Sequence, residues 1–344
     1  MSSHRVRASG CTASGRSCTM RVPQPLVTAV VVCYNHARFV AGCLDSVRSQ
    51  TYPNLQLLIM DDASCDGSPR VIRDWIASHA VRCDFVAHGC NRGLPRTLNE
   101  ALRRARGEYV AFLAADDLWL PDKTRAQVGA LDGQPDEVGV IYSDAALIDE
   151  AGRDLPGRFI ETYRHFPRPP EGDLLDVLLD GNFIPAMTTL VRRSCWDAVG
   201  RYDESLAYED WDMWLRIARR YRFAFLPEIT ARYRVVHGSL LSTLKGPRRG
   251  DLFATHFRIF EKCLRSGTLR GGQIHRLRNL LTDTAEALMS EDHPHRTSFA
   301  LRALRYQLRL RTLGLAACSL LGVPHARWTR AASWLGRCRG LNPV

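Results

Sequence analysis

The 344-residue chain lacks any run of about 20 apolar residues, which excludes an ordinary transmembrane helix. It holds eleven cysteines but no C-x-x-C pair; the number is odd, and several fall inside apparent strands or helices. That scatter argues against a disulfide framework or a zinc site, and for the reduced thiols of a cytoplasmic protein. Lysine is nearly missing, with 3 against 44 arginines, a bias that codon usage explains as well as function does. Acidic residues thin out toward the C-terminus: residues 246–344 carry 17 Lys and Arg against 6 Asp and Glu, whereas residues 26–245 carry 26 against 30. Residues 1–25 have four Arg and no apolar stretch of signal-peptide type, and are expected to be a disordered leader or an over-extended start.

What remains is an ordinary globular composition, 45% apolar and 24% charged, enough for a full core. From residue 26 short apolar runs alternate with amphipathic stretches. "LVTAVVVC" (26–33) and "LQLLIM" (55–60) read as strands buried on both faces. Further strands are expected near 83–87, 108–114, 138–144, 186–192, 222–226 and 229–235. Helices are expected at 37–50, 69–79, 94–106 and 209–220, and residues 151–172, rich in Gly, Pro and Arg, as an excursion. The alternation implies right-handed βαβ units and an α/β fold with a mostly parallel sheet flanked by helices. Beyond "GPRRG" (246–250) only helical periodicity remains, which divides the chain into a body over 26–246 and a basic helical region over 247–344.

The chemistry concentrates in acidic pairs. "IMDDASCDGS" sets Asp61 and Asp62 after one strand, and "FLAADDLWLP" sets Asp116 and Asp117 after another. In open α/β sheets ligands gather at these carboxyl ends. A third pair, Glu209 and Asp210 in "YEDWDMW", opens a helix, where the helix dipole alone would account for it. Turn formation and capping would account for any one strand-end pair. Several together need a counter-charge, and a divalent cation that also carries phosphate oxygens supplies it.

These residues also carry a resemblance. "VTAVVVCYNHARFVAGCLDSVRSQTYPNLQLLIMDDASCDGS", "NRGLPRTLNEALRRARGEYVAFLAADDLWLP" and "YEDWDMWLRIA" resemble family 2 glycosyltransferases of the GT-A fold, over about residues 26–245. The resemblance implies inverting transfer of a sugar from a nucleoside diphosphate sugar, a UDP- or dTDP-sugar for preference, to a glycan or lipid-linked acceptor. It implies that Tyr34, Asn35, Asp61 and Asp62 surround the nucleoside, and that Asp116 faces the ribose or sugar. Asp117, with His237 of "RYRVVHGSLLS", would ligate Mn²⁺ or Mg²⁺, and Asp210 would be the catalytic base, with His237 as its rival. The sequence departs from the pattern at Ala114, where many members have Asp, at Val32 and at Leu98. A non-catalytic nucleotide-sugar-binding protein on the same fold is the alternative; a nucleotidyltransferase would want a Gly-rich phosphate loop near residue 35, and "CYNHARF" is not one.

The basic tail suits an anionic lipid surface, and nucleic acid is not among the expected partners. Residues 299–315 place Leu301, Leu304, Leu308 and Leu315 near one helical face amid Arg302, Arg305, Arg309 and Arg311, and Trp328 and Trp334 lie among further arginines. Either these helices rest on the inner face of the cytoplasmic membrane, or they cap the body or pair with a second copy.

Overall fold

The computed structural model describes residues 24–323 except 165 and 167. The expected leader and the two tail tryptophans therefore lie outside the described residues. In chain order the elements are β1 (Val27–Cys33), α1 (Val40–Arg48), β2 (Leu55–Asp61), α2 (Ser68–His79), β3 (Asp84–Ala87), α3 (Leu94–Arg104), β4 (Tyr109–Ala114) and β5 (Leu118–Trp119). Then come α4 (Lys123–Asp132), β6 (Val138–Ile148), β7 (Asp154–Arg158), α5 (Phe159–Arg164) and α6 (Leu175–Asp180). A 3-10 turn at Ala186–Thr188 leads to β8 (Leu190–Arg192), α7 (Arg193–Val199), α8 (Asp210–Ile217) and β9 (Arg222–Arg234). Five helices close the described chain: α9 (Leu240–Lys245), α10 (Arg249–Arg265), α11 (Gly271–Ser290), α12 (Arg296–Tyr306) and α13 (Leu310–Leu320).

One sheet runs in the order β3-β2-β1-β4-β8-β6-β9-β5, with β7 hydrogen-bonded to β6. The half built from β3, β2, β1 and β4 is parallel throughout, as the alternation of strand and helix demands. The other half is mixed. The β8 strand lies antiparallel between β4 and β6, β9 runs parallel to β6, and β5 and β7 add antiparallel edges. The two strands expected at 222–226 and 229–235 are one long strand, whose register against β6 shifts where Tyr142 gives way to Asp144. Of the stretch 186–192, only the last three residues pair as a strand.

The core follows from composition. The β1 strand is buried along nearly its whole length because helices cover both faces of the sheet. Its one polar residue, Thr28, is satisfied: its hydroxyl donates to Gln56 Oε1 at 2.8 Å and accepts from the Gly107 amide at 2.9 Å. A Cβ on Gly107 would meet Thr28 N and Tyr109 O at 2.5 Å, so glycine is required for the chain to pass this close to β1.

The C-terminal helices pack on the body through α10. Trp211 of α8 meets His256 and Phe260 edge-on, at 5.2 and 5.6 Å between ring centroids. Lys262 reaches Asp212 at 2.6 Å and Asp203 at 2.9 Å. Phe257 and Phe299, both fully buried, join α10 to α12 with ring centroids 4.9 Å apart. No helix among the described residues is long and apolar enough to cross a membrane.

Candidate active site

Parallel register brings the chemistry-bearing loops side by side. Cys33 lies opposite Asp61, and Val32 lies opposite both Met60 and Ala114. The chain therefore leaves β1, β2 and β4 at one sheet edge, and Tyr34, Asp62 and Asp116 follow within two residues. This is the edge where open α/β sheets hold ligands.

Two of these loops are laced together. Asn35, held at φ +59, donates its amide to Ser64 Oγ at 2.8 Å and accepts the Cys65 amide on Oδ1 at 2.9 Å. The amides of His36 and Ala37 reach Ser68 Oγ and Asp66 Oδ2. Asp61 accepts both the amide and the hydroxyl of Ser64, at 3.0 and 2.6 Å. Ala63 sits at φ +63, a conformation a residue with Cβ rarely adopts, and the lacing around it holds it there. Tyr34 stays 47% exposed beside this platform.

Asp62 is buried and accepts from two backbone amides, Arg92 on Oδ1 at 2.9 Å and Gly93 on Oδ2 at 2.8 Å. The imidazole of His88 lies between Asp62 Oδ1, 2.7 Å from Nδ1, and Glu100 Oε2, 3.2 Å from Nε2. Glu100 is paired in turn with Arg92 and Arg104. Asp62 thus anchors the loop ahead of α3 through both carboxylate oxygens. Sequence reasoning missed His88 and Glu100, because neither lies in a recognisable motif and their partnership spans the ends of separate elements.

Asp116 and Asp117 form the tight turn from β4 into β5, with the Asp117 amide donating to Ala114 O at 3.0 Å. Asp117 is 3% exposed, and its Oδ1 accepts the Arg234 amide at 2.8 Å. Burial above all, then the charge of Asp116, pushes its carboxyl well above the usual carboxylate range, and Arg234 offsets this in part. The Arg234 guanidinium donates to Asp116 O at 2.7 Å and to Asp149 O at 3.0 Å, and stacks over Phe39 at 4.8 Å. Asp116 keeps its side chain near His36, with Nε2 at 3.7 Å. Arg234 too was invisible in the sequence, being one arginine among 44.

His237 follows β9 on an exposed loop. Its backbone amide donates to Glu150 Oε1 at 3.1 Å, while Glu150 Oε2 pairs with Arg38 at 3.0 Å. No hydrogen bond or ion pair among the described residues joins its imidazole to Asp116 or Asp117. Nor do three His, Cys, Asp or Glu side chains among the described residues gather into a closed metal cage. The all-oxygen pair Asp116–Asp117 fits instead a hard cation that takes one or two carboxylates and completes its shell elsewhere. A buried, counter-ion-poor carboxyl at Asp117 is the feature such a cation would relieve.

Asp210 begins α8. Its Oδ1 accepts the Trp211 amide and its Oδ2 the Asn182 side-chain amide, both at 2.7 Å. Burial raises its pKa, while the Trp211 amide, Arg164 and Asn182 draw it back. Glu209 is driven further, to about 8, by burial and then by the charge of Asp210. Arg164 also acts on Tyr233, which in turn feels Asp116 and Asp117. The two acidic pairs are therefore linked electrostatically through Arg164 and Tyr233. Arg164 and Asn182 lie in the stretch read as an excursion and its sequel, where no pattern marked them.

Residues 28–196 match the profile of Glycosyl transferase family 2. Curated relatives include the putative teichuronic acid biosynthesis glycosyltransferase TuaG of Bacillus subtilis, 27% identical over 64% of this chain and 82% of that protein. For two uncharacterized glycosyltransferases of Rickettsia, the chain spans only 64% and 32% of their lengths. Among solved structures, a mannosyltransferase of Pyrobaculum calidifontis in complex with GDP-Man and Mn²⁺ superposes with a TM-score of 0.54 at 23% identity, covering 91% of this chain and 85% of that one. The TarS fragment of S. aureus in complex with UDP-GlcNAc gives 0.60 at 15% identity, covering 86% and 92%. At these identities the two structures establish a shared GT-A-like fold.

Glu209 has a folded-state pKa raised from 4.5 to about 8. Its contribution to stability is therefore intact below the unfolded value and lost as pH rises through the folded one. Glu209→Gln is expected to melt with wild type near pH 4.5 and distinctly above it at about pH 9. Melting curves across this range check the sign, and a constant offset would contradict it.

Proposed function

Residues 28–196 are a glycosyl transferase family 2 domain, and from that premise we propose that the protein is a metal-dependent, inverting transferase moving a sugar from a nucleoside diphosphate sugar to a hydroxyl acceptor. The observation that carries this reading is a pair of acidic clusters, each fixed by hydrogen bonds from the surrounding chain. One is a rigid Asp116–Asp117 turn needing a cation, the other an Asp210 carboxylate held in place by Asn182 and the Trp211 amide. The curated relatives named as glycosyltransferases, one of them of teichuronic acid biosynthesis, support a cell-envelope polymer or glycoconjugate as the product. Neighbours crystallised with GDP-Man and with UDP-GlcNAc support a nucleotide-sugar donor, and a UDP- or dTDP-sugar is our choice.

In this reading Tyr34 stacks beside the nucleoside on the platform made by Asn35 and Asp61, and Asp62 keeps the facing loop in register. Asp117 and Asp116, with His237 from the neighbouring loop, would hold Mn²⁺ or Mg²⁺. When bound, such an ion neutralises charge building on a departing diphosphate. Asp210 takes the proton of the attacking acceptor hydroxyl, and a single displacement through an oxocarbenium-like transition state inverts the anomeric carbon. The Trp211 amide, Arg164 and Asn182 favour the ionised form of Asp210 against the burial that raises its pKa.

Asp117→Ala should abolish transfer without unfolding the chain, since it removes a like-charge pair from a buried turn. Wild-type turnover should need Mn²⁺ or Mg²⁺; full transfer in excess chelator would sink the metal assignment. Asp210→Asn should retain donor binding but lose about 10²–10⁴-fold in turnover. Unchanged turnover would hand the base role to His237.

We also infer a peripheral contact with the inner face of the cytoplasmic membrane, which would suit a lipid-linked acceptor. Leu308, in the link between α12 and α13, and Leu321, just past α13, are 75% and 78% exposed; Leu301 on α12 and Leu313 and Leu320 on α13 are exposed too, near exposed Arg305 and Arg309. Leu315, by contrast, is buried, on a helix that packs against α12 and α11. Exposed leucines among arginines suit an anionic interface. The full chain should float with anionic liposomes at low salt and release at about 0.5 M, where screening is strong. Leu308→Glu combined with Leu320→Glu should abolish flotation; unaltered flotation would retire this contact.

A further inference from the structure

A cleft of about 250 Å³ opens between α8 and α10, away from the sheet edge, lined by Asp212, Arg216, Arg219, Lys262, Cys263 and Arg265, among others. Its cations have partners, with one exception. Arg216 holds Asp212 at 2.9 Å and the carbonyls of Val199 and Arg201. Lys262 bridges Asp212 and Asp203. Arg265 pairs with Glu261 at 3.0 Å and donates to Tyr306 Oη at 2.9 Å, and Arg302 also leans on Glu261. Arg219 forms no ion pair among the described residues; its Nε and Nη2 are buried, with no oxygen acceptor and only a thiol to bond. The group beside it is the Cys263 thiol, which burial keeps protonated with a pKa pushed up to about 11.

A half-buried guanidinium with two enclosed nitrogens and no carboxylate facing it is unfavourable, because its desolvation is little compensated. Three carboxylates already serve the other cations, so the cleft keeps an excess positive charge. Its planar donors match a phosphoryl group in a way that a lone lysine would not. We propose that this cleft binds a phosphate-class anion, held by Arg219 together with Lys262 and Arg265. Two sources share that chemistry, a soluble phosphate or the phosphomonoester headgroup of a lipid. Arg265 touches Tyr306, two residues before the exposed Leu308, so the cleft lies near the leucine-bearing helices. The site is separate from the aspartates of the sheet edge and does not rest on the transferase reading.

The test measures binding on the full chain, not transfer. Inorganic phosphate, titrated at constant ionic strength with chloride, should raise the wild-type melting temperature saturably by about 2–5 °C. Arg219→Met should lose this rise, Arg219→Lys should keep part of it, and Asp117→Ala should keep all of it. In parallel, both proteins are sedimented with phosphatidylcholine vesicles carrying phosphatidic acid or an equal charge of phosphatidylserine. Weaker binding of Arg219→Met to phosphatidic acid vesicles alone makes a lipid headgroup the source, and a difference confined to inorganic phosphate makes it a soluble anion. If Arg219→Met matches wild type in both arms, or neither probe binds wild type, the proposal is overturned.

Discussion

The arrangement depends on one backbone contact, the Arg234 amide donated to Asp117 at 2.8 Å. Two adjacent aspartates repel, and burial makes Asp117 costlier to ionise. Arg234 answers from the end of β9, its amide on one acid and its guanidinium on the main chain of the other. That solution requires β9 to arrive at the β4–β5 turn, which it does by pairing antiparallel with β5 and parallel with β6. The mixed half of the sheet thus brings an arginine to a turn that the parallel half supplies.

A second layer of the same logic serves the other strand ends. Asp61 and Asp62 look interchangeable in the sequence, but their surroundings separate them. Asp61 takes a local Ser64 turn, while Asp62 reaches across to the Arg92–Gly93 amides and to His88. Each aspartate shapes a different loop. Carboxylates here organise backbone before they meet any ligand, as buried acceptors in turns generally do.

Much of this was legible beforehand. A β-branched run marked β1 and an apolar run marked β2, and the acidic pairs at the ends of β2 and β4 marked the edge where ligands gather. The partners of those acids were not legible. Arg234, His88 and Asn182 sit 117, 26 and 28 residues from the acids they touch, Glu100 meets Asp62 through His88, and none repeats a local pattern. The antiparallel strands were hard to read for a related reason: β5 has two residues and β8 has three, too short for any period to declare itself. The long β9 read as two strands because its register shifts where it passes Tyr142 and Asp144. Leu315 read as part of one apolar stripe with Leu301 and Leu308, yet it is buried and they are exposed, because amphipathic spacing identifies a face without saying what covers it.

The helix α8 has a double allegiance. Its first residue, Asp210, belongs to the candidate site, yet two residues on Asp212 is gripped by Lys262 of α10, and Trp211 between them rests on two rings of the same helix. The body and the tail therefore do not meet at a neutral seam. Anyone splicing a different C-terminal region onto this body, or grafting this one elsewhere, would have to carry α8 and α10 together as a single cassette. A junction drawn between them would leave the orientation of the Asp210 carboxylate to chance, however well each half folded.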